Sequence, residues 1–354
     1  MRAKTDLSDM WTTAVSVAIG GAGAALAWVL SMPVPVLTGP AILVSLAGIA
    51  GIRTGISPAL RDACFVVLGV GIGAGFNPEA GTAILRWPLA FVALAMGLFA
   101  TIELCSRILQ HGFGFDRRSA VLASAPGHLS FVMGLAADTR AADTRADVAR
   151  VAVVQSIRLL ALTLIVPFAA LAMGVTSISV VALGDTPMTR TALAALLVSG
   201  GIAGFGFRRF RVPAPFLLGG MVVSGLTHVT AIIPGSVPSV LMVPAFMVLG
   251  TLIGTRFSGM SPAQFMGSLL AGAAVTTVSA LIAGLIALPI SVFLAFPLSH
   301  VLAAFAPGGL ETMIALGAAL GANPGFLAAS HIMRLLILTV LIPVALARRR
   351  AGTV

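Results

Sequence analysis

Pro33-Val34-Pro35-Val36-Leu37-Thr38-Gly39 returns 180 residues later as Pro213-Ala214-Pro215-Phe216-Leu217-Leu218-Gly219, and this doubling decides how the chain is read. Further motifs keep nearly the same step. Val67-Leu68-Gly69 through Gly73 returns as Val248-Leu249-Gly250 through Gly254, and Ala125-Pro126-Gly127-His128-Leu129 returns as Ala306-Pro307-Gly308-Gly309-Leu310, both at an offset of 181. Arg158-Leu159-Leu160-Ala161-Leu162-Thr163, ending at Pro167, returns as Arg334-Leu335-Leu336-Ile337-Leu338-Thr339, ending at Pro343, at an offset of 176. The loss of five has a cause: AADTR at 136–140 is repeated at once at 141–145, a tandem insertion that only the first half carries. Duplicated halves of this kind are a common way of building transporters. The two membrane repeats run over 1–174 and 188–350.

The 354 residues are 58% hydrophobic and 9% charged, with a mean hydropathy of +1.09. A water-facing surface needs charge on about a quarter of its residues, so the solvent of this chain is lipid. The net charge of +10 is almost wholly arginine, because Lys4 is the only lysine, and the arginines fall mostly between apolar runs. That distribution marks topology; nucleic-acid binding would need a basic soluble module. Cys64 and Cys105 lie apart in apolar stretches without CxxC spacing and read as small buried residues. The first apolar run, Trp11 to Ser31, is not a signal peptide: Asp6 and Asp9 interrupt its basic flank, and it has a counterpart deep in the chain.

Each half holds six apolar elements, centred near 21, 45, 67, 94, 128 and 160 and near 199, 221, 247, 276, 308 and 336. Most approach the ~20 residues of a spanning helix. Arginine-rich short loops stay cytoplasmic. With the N-terminus inside, Arg53, Arg61, Arg107, Arg117 and Arg118 fall inside and the Gly75 to Thr82 turn outside. If the fifth element entered and left by opposite faces, Arg140, Arg145, Arg150 and the Arg208-Arg209-Phe210-Arg211 turn would land outside. If it returns to the face it entered, all fall inside, and so do Arg256 and the final Arg348-Arg349-Arg350. The expected fold is therefore an all-α polytopic membrane protein of ten spans and two broken, re-entrant segments. Five spans per half make the repeats inverted in topology.

Both fifth elements contain Ala-Pro-Gly in mid-run, where a helix breaks. Broken backbone at membrane depth survives where protein or a watery cavity receives it. A packing kink is the plain alternative, but the break occurs twice at matched places with polar flanks. His128 and Ser130 follow Pro126-Gly127, and Glu311 and Thr312 follow Pro307-Gly308. The sixth elements carry Arg158 and Arg334 inside apolar helices, each costly unless it meets a cavity or partner. Snorkelling to an interface is the alternative for each. Gln155 and Ser156 precede Arg158, and Ser330 and His331 precede Arg334. Glu103 and Arg107, one turn apart, read as an interfacial ion pair. Gly69 and Gly73, matched at Gly250 and Gly254, read as close helix packing, not as a dinucleotide loop. The histidines at 111, 128, 228, 300 and 331 have no metal-site spacing.

The PxPxLxG turns, the APG breaks and the RLLxLT helices resemble the AbrB family of bacterial inner-membrane proteins over roughly Val15 to Arg348. Members carry labels such as ammonia monooxygenase or regulator of gene expression, and the family is distinct from the small soluble DNA-binding regulator of the same name. The fold is similar to the larger group of inverted-repeat cation and organic-anion transporters with crossed broken elements. The resemblance brings no catalytic motif.

The expectation is a secondary transporter for a small organic anion, located in the inner membrane with both termini cytoplasmic. Its site forms where the two APG segments cross beside the sixth helices, with Arg158 and Arg334 countering the solute's charge. His128, Glu311 or His331 would carry a coupling proton, sodium being the other candidate ion. No cofactor, metal, catalytic residue or nucleic-acid partner is expected; the bilayer is the surrounding partner, and a homodimer stays open. A copper monooxygenase would want converging histidines, which the scattered five do not offer. A regulatory effect on gene expression would be indirect, because nothing here touches DNA or passes a phosphoryl group.

Overall fold

In the computed structural model the described residues are 2–76, 87–127, 147–175 and 186–347. His128, Ser130, the AADTR insertion, the outer part of the Gly75 to Thr82 turn and Arg348-Arg349-Arg350 lie outside them. The first half holds α1 (Arg2–Val29), α2 (Pro35–Ile49), α3 (Pro58–Gly73), α4 (Trp87–Phe113), α5 (Arg117–Ser124) and α6 (Val148–Ala172). The second holds α7 (Arg190–Arg209), α8 (Pro215–Val229), α9 (Ser239–Gly254) with a 3-10 turn (Thr255–Phe257), α10 (Pro262–Leu294), α11 (Leu298–Phe305), α12 (Leu310–Ala319) and α13 (Pro324–Ala347). No strand occurs among the described residues, as an apolar surround requires: a helix meets its own backbone hydrogen-bonding needs. Seven of these helices are long and apolar enough to cross a membrane: α1, α4, α6, α7, α9 with its turn, α10 and α13. The chain is an all-α membrane protein.

Side-chain caps start five of these helices in the ordinary way. Asp116 and Asp147 accept from the backbone N–H of Ser119 and Arg150 to open α5 and α6, and Ser261 and Gln264 form a reciprocal capping box at α10. Helices α2 and α8 start differently. Their N-cap residues, Val34 (φ 49, ψ 56) and Ala214 (φ 47, ψ 52), are left-handed and give no side-chain cap, and Pro35 and Pro215 follow in the first turn. Ser31 (φ 52) and Arg211 (φ 57) repeat the same conformation three residues earlier. This is what the PxPxLxG motif encodes: proline fixes the helical φ while the residue before it bends the chain back, without glycine and at a cost of about 1–2 kcal/mol per residue.

The helices form two bodies, each drawing from both halves. In the first, α1 packs on α2 and α7 on α8, while α2 packs on α9 and α3 on α8. Glycine permits these contacts: a Cβ on Gly69 would overlap the carbonyl oxygen of Leu217, and one on Gly250 that of Leu37. Gly73 and Gly254 sit equally close to α8 and α2, which is the close packing their spacing predicts. In the second body α4 lies along α10, α6 along α10 and α13 along α4, with α5, α11 and α12 inserted among them. Helix α6 reaches across to α2 and α9, and α12 to α3. One apolar core fills the first body and extends to Leu310, Met313 and Leu316 of α12; a second, around Leu98, Leu122, Phe305 and Phe326, fills the other.

Candidate functional site

Helices α5 and α11 have eight residues each, about 12 Å at ~1.5 Å per residue, far short of a ~30 Å hydrocarbon core. Both stop for the same reason. Ala125 (φ −69, ψ 119) and Ala306 (φ −53, ψ 129) are extended, as a residue before proline must be, and Pro126 and Pro307 end the ladder. A helix end leaves up to four carbonyls without partners, and no lipid can supply donors.

The sixth helices supply them. Gln155 Nε2 donates to the carbonyls of Leu122 at 2.8 Å and Ala125 at 2.9 Å. Arg158 Nη1 donates to Ala123 and Ser124, both at 3.4 Å, and Nη2 to Ala125 at 3.3 Å and to Gln155 Oε1. Two side chains one turn apart on α6 thus engage every carbonyl from 122 to 125. In the second half Arg334 Nη1 donates to Ala306 at 2.6 Å and Nη2 to Gly308 at 2.9 Å. Arg158 is 0% and Arg334 2% exposed, so neither snorkels. Each sets a positive charge at the negative end of a half-helix dipole.

The two breaks meet. Pro126 and Pro307 line one cleft of about 20 Å³, together with the buried Thr101 of α4 and Ser279 of α10. The Arg158 and Arg334 charges are close enough to interact, and neither Asp nor Glu is among the buried residues described. Beside them, Arg158 Nε, Ser330 Oγ, Arg334 Nε and both ring nitrogens of His331 are buried without a hydrogen bond among the described residues. His331 does face the Ala303 backbone, outside hydrogen-bonding geometry.

Pro126, Gly127, Arg158, Pro307, Gly308 and Arg334 are therefore brought together, with His331 next to them. Thr312 is buried in the first turn of α12, against Gly309. Glu311, in the same turn, lines instead an open cavity of about 800 Å³ with Arg61, Asp62, Arg208, Arg211 and Arg256. Glu103 and Arg107 form the expected ion pair at the end of α4, both half-exposed.

Sequence reasoning missed the part played by Gln155, named only as a neighbour of Arg158. Offset arithmetic finds it: 331 − 155 and 334 − 158 are both 176, so Gln155 is the counterpart of His331. Arg61, Arg208, Arg211 and Arg256 read only as topology markers, because nothing in the sequence places them around one space.

The family model described as "Transition state regulatory protein AbrB" matches residues 36–349. No curated protein matches the chain.

Proposed function

This chain belongs to the AbrB family, and we propose that it is a secondary transporter for a small organic anion, built from inverted repeats over 1–174 and 188–350. The observation that carries the reading is the group of unmet polar atoms beside the two breaks: Arg158 Nε, Ser330 Oγ, Arg334 Nε and the His331 ring. A buried polar atom without a partner costs about 1–3 kcal/mol, and native proteins keep few of them. Here they gather around two interacting cations with no buried carboxylate among the described residues, a place where an anion lowers the energy. The backbone carbonyls already hold Nη1 and Nη2 of both arginines. The solute's charge is met by the field of the pair and by the remaining Nε–H groups.

The inverted arrangement is supported by matched left-handed turns at Val34 and Ala214 and by the exchange of α2–α9 for α3–α8 packing. The termini lie in the cytoplasm of a bacterial cell with the protein in its inner membrane. His331 or His128 carries a coupling proton, with sodium as the alternative ion, and no catalytic step is involved.

The test is uptake by proteoliposomes of labelled mono- and dicarboxylates, amines and metal ions under imposed proton or sodium gradients, beside an Arg158→Gln, Arg334→Gln double variant. Gradient-driven accumulation of carboxylates by the parent alone is the expected result; accumulation confined to cations overturns it. The description of the family favours a second reading, a membrane regulator acting on gene expression indirectly. Saturable stabilisation of the parent by an anion with no uptake under any gradient would move that reading ahead. Cysteines introduced at the exposed positions 59 and 232, with Cys64 and Cys105 replaced by alanine, test the topology: a membrane-impermeant maleimide added outside intact cells labels position 232 and spares 59.

A further inference from the structure

The open cavity bounded by the start of α3, the turn from Arg211 to Phe216, the end of α9 and the middle of α13 is separate from the cleft between the breaks. At about 800 Å³ it is of the size that holds a ligand of drug-like dimensions. Four arginines and two carboxylates line it, and their pairing leaves a surplus. Asp62 takes Nε and Nη2 of Arg61 at 2.9 and 2.7 Å. Glu311 lies close enough to Arg256 for their charges to interact. Arg208 places its guanidinium 4.7 Å from the Phe205 ring centre and 5.6 Å from that of Phe216, and among the described residues its side chain has neither a hydrogen bond nor an ion pair. The Arg211 side chain has no hydrogen bond or ion pair among the described residues.

The remaining wall is apolar. Phe65 and Phe216 are buried at its back, and Leu335 and Leu336 come from α13. Leu336 is 57% exposed on a membrane-length helix, so this side of the cavity opens toward the bilayer. Two exposed guanidinium groups without a carboxylate partner, at one edge of an apolar recess, match a ligand with a negative head and an apolar body. A small hydrophilic anion would leave the recess empty, and a neutral apolar molecule would leave the arginines unmet.

We propose that this cavity binds an amphiphilic anion, a carboxylate or phosphate head taken by Arg208 and Arg211 with its aliphatic or aromatic body laid against Phe65, Phe216 and Leu335. The site stands whether or not the protein transports, since it uses neither Arg158 nor Arg334. The ligand reaches it from solution as an organic acid or from the membrane as an anionic lipid, and the chemistry is shared.

The experiment measures thermal unfolding in phosphatidylcholine nanodiscs for the parent and an Arg208→Gln, Arg211→Gln double variant, with octanoate, acetate and octanol as probes. Both substitutions are at exposed positions, Arg208 in the last turn of α7 and Arg211 in the turn that follows, and parent-like unfolding without probe checks the fold of the variant. Saturable stabilisation of the parent by octanoate, with acetate and octanol inactive, and an apparent affinity at least about tenfold weaker in the variant is expected for loss of charge-assisted contacts. Discs containing phosphatidylglycerol separate the sources: a membrane lipid as occupant raises the unfolding temperature of the parent only and abolishes its octanoate response, whereas a soluble acid leaves that response intact. Equal responses of parent and variant, equal effects of acetate and octanoate, or no octanoate effect in phosphatidylcholine overturn the proposal.

Discussion

His331 stands where the first half has Gln155, and the two side chains meet matched backbone, Gln155 at Leu122 and His331 at Ala303. The amide closes its hydrogen bonds; the imidazole, with both nitrogens unmet, does not. His331→Gln should therefore keep or raise the unfolding temperature. If His331 carries the coupling proton, the same variant loses uptake driven by a pH gradient while still binding the anion. Unfolding midpoints and uptake at matched gradients check both halves of the prediction.

Arg158 serves three carbonyls and Gln155 with two nitrogens, which a lysine ammonium on a single flexible stem cannot reproduce. Arg158→Lys is expected to destabilise by about 2–4 kcal/mol, the loss of one or two buried contacts with their acceptors left behind. Gln155→Leu should cost a similar amount, since the Leu122 carbonyl then has no side-chain donor. Detergent-solubilised unfolding of both variants is the measurement, and parent-like midpoints would falsify the account of α5.

Gly69→Ala and Gly250→Ala each press a methyl into a backbone carbonyl of the neighbouring helix, at Leu217 and Leu37. Backbone cannot step aside, so each should cost ~1–3 kcal/mol or more. Gly284→Ala, in α10 with nothing within 4 Å of the added methyl, should be neutral or stabilising by ~0.5–1 kcal/mol through helix propensity. Opposite signs for the two kinds of glycine, read as unfolding midpoints, are the expected outcome.

Ala295 (φ 54) ends α10 in the left-handed conformation that Gly114 (φ 63) adopts 181 residues earlier. Removing the Cβ strain outweighs the added chain entropy, so Ala295→Gly should stabilise by ~0.5 kcal/mol and Gly114→Ala should destabilise by about as much. A shift of the same sign in both variants would mean that neighbours, not φ, decide these positions.

Much of this was legible beforehand because membrane helices write their constraints in composition. An arginine inside an apolar run, a proline in mid-helix and a glycine every fourth residue are each costly unless something specific receives them. The sequence therefore points at Arg158, Pro126 and Gly69 directly. What receives them is another matter. That Arg158 and Arg334 turn their terminal nitrogens to backbone carbonyls depends on where an eight-residue helix ends in space, and no spacing along α6 or α13 encodes it. Glu311 and Thr312 are adjacent in sequence yet face different spaces, the cavity and the protein interior, because successive residues of a helix point about 100° apart. The arginines around the open cavity come from α3, α7, the turn after it and the end of α9, and only folding assembles them.

The exchange of partners between α2–α9 and α3–α8 has a consequence for biosynthesis. Gly69 and Gly73 of α3 wait for α8, and Leu37 and Val44 of α2 wait for Gly250 and Gly254 of α9, so these two faces have no mate while the first half is being made. At ~5–20 residues per second the ribosome needs roughly ten seconds or more to deliver the missing partners. During that interval the notched face of α3 and the bare face of α2 are open to whatever else can fill them. A nascent chain halted after residue 175 would be a natural client for membrane quality control, recognised by grooves that the finished protein has closed.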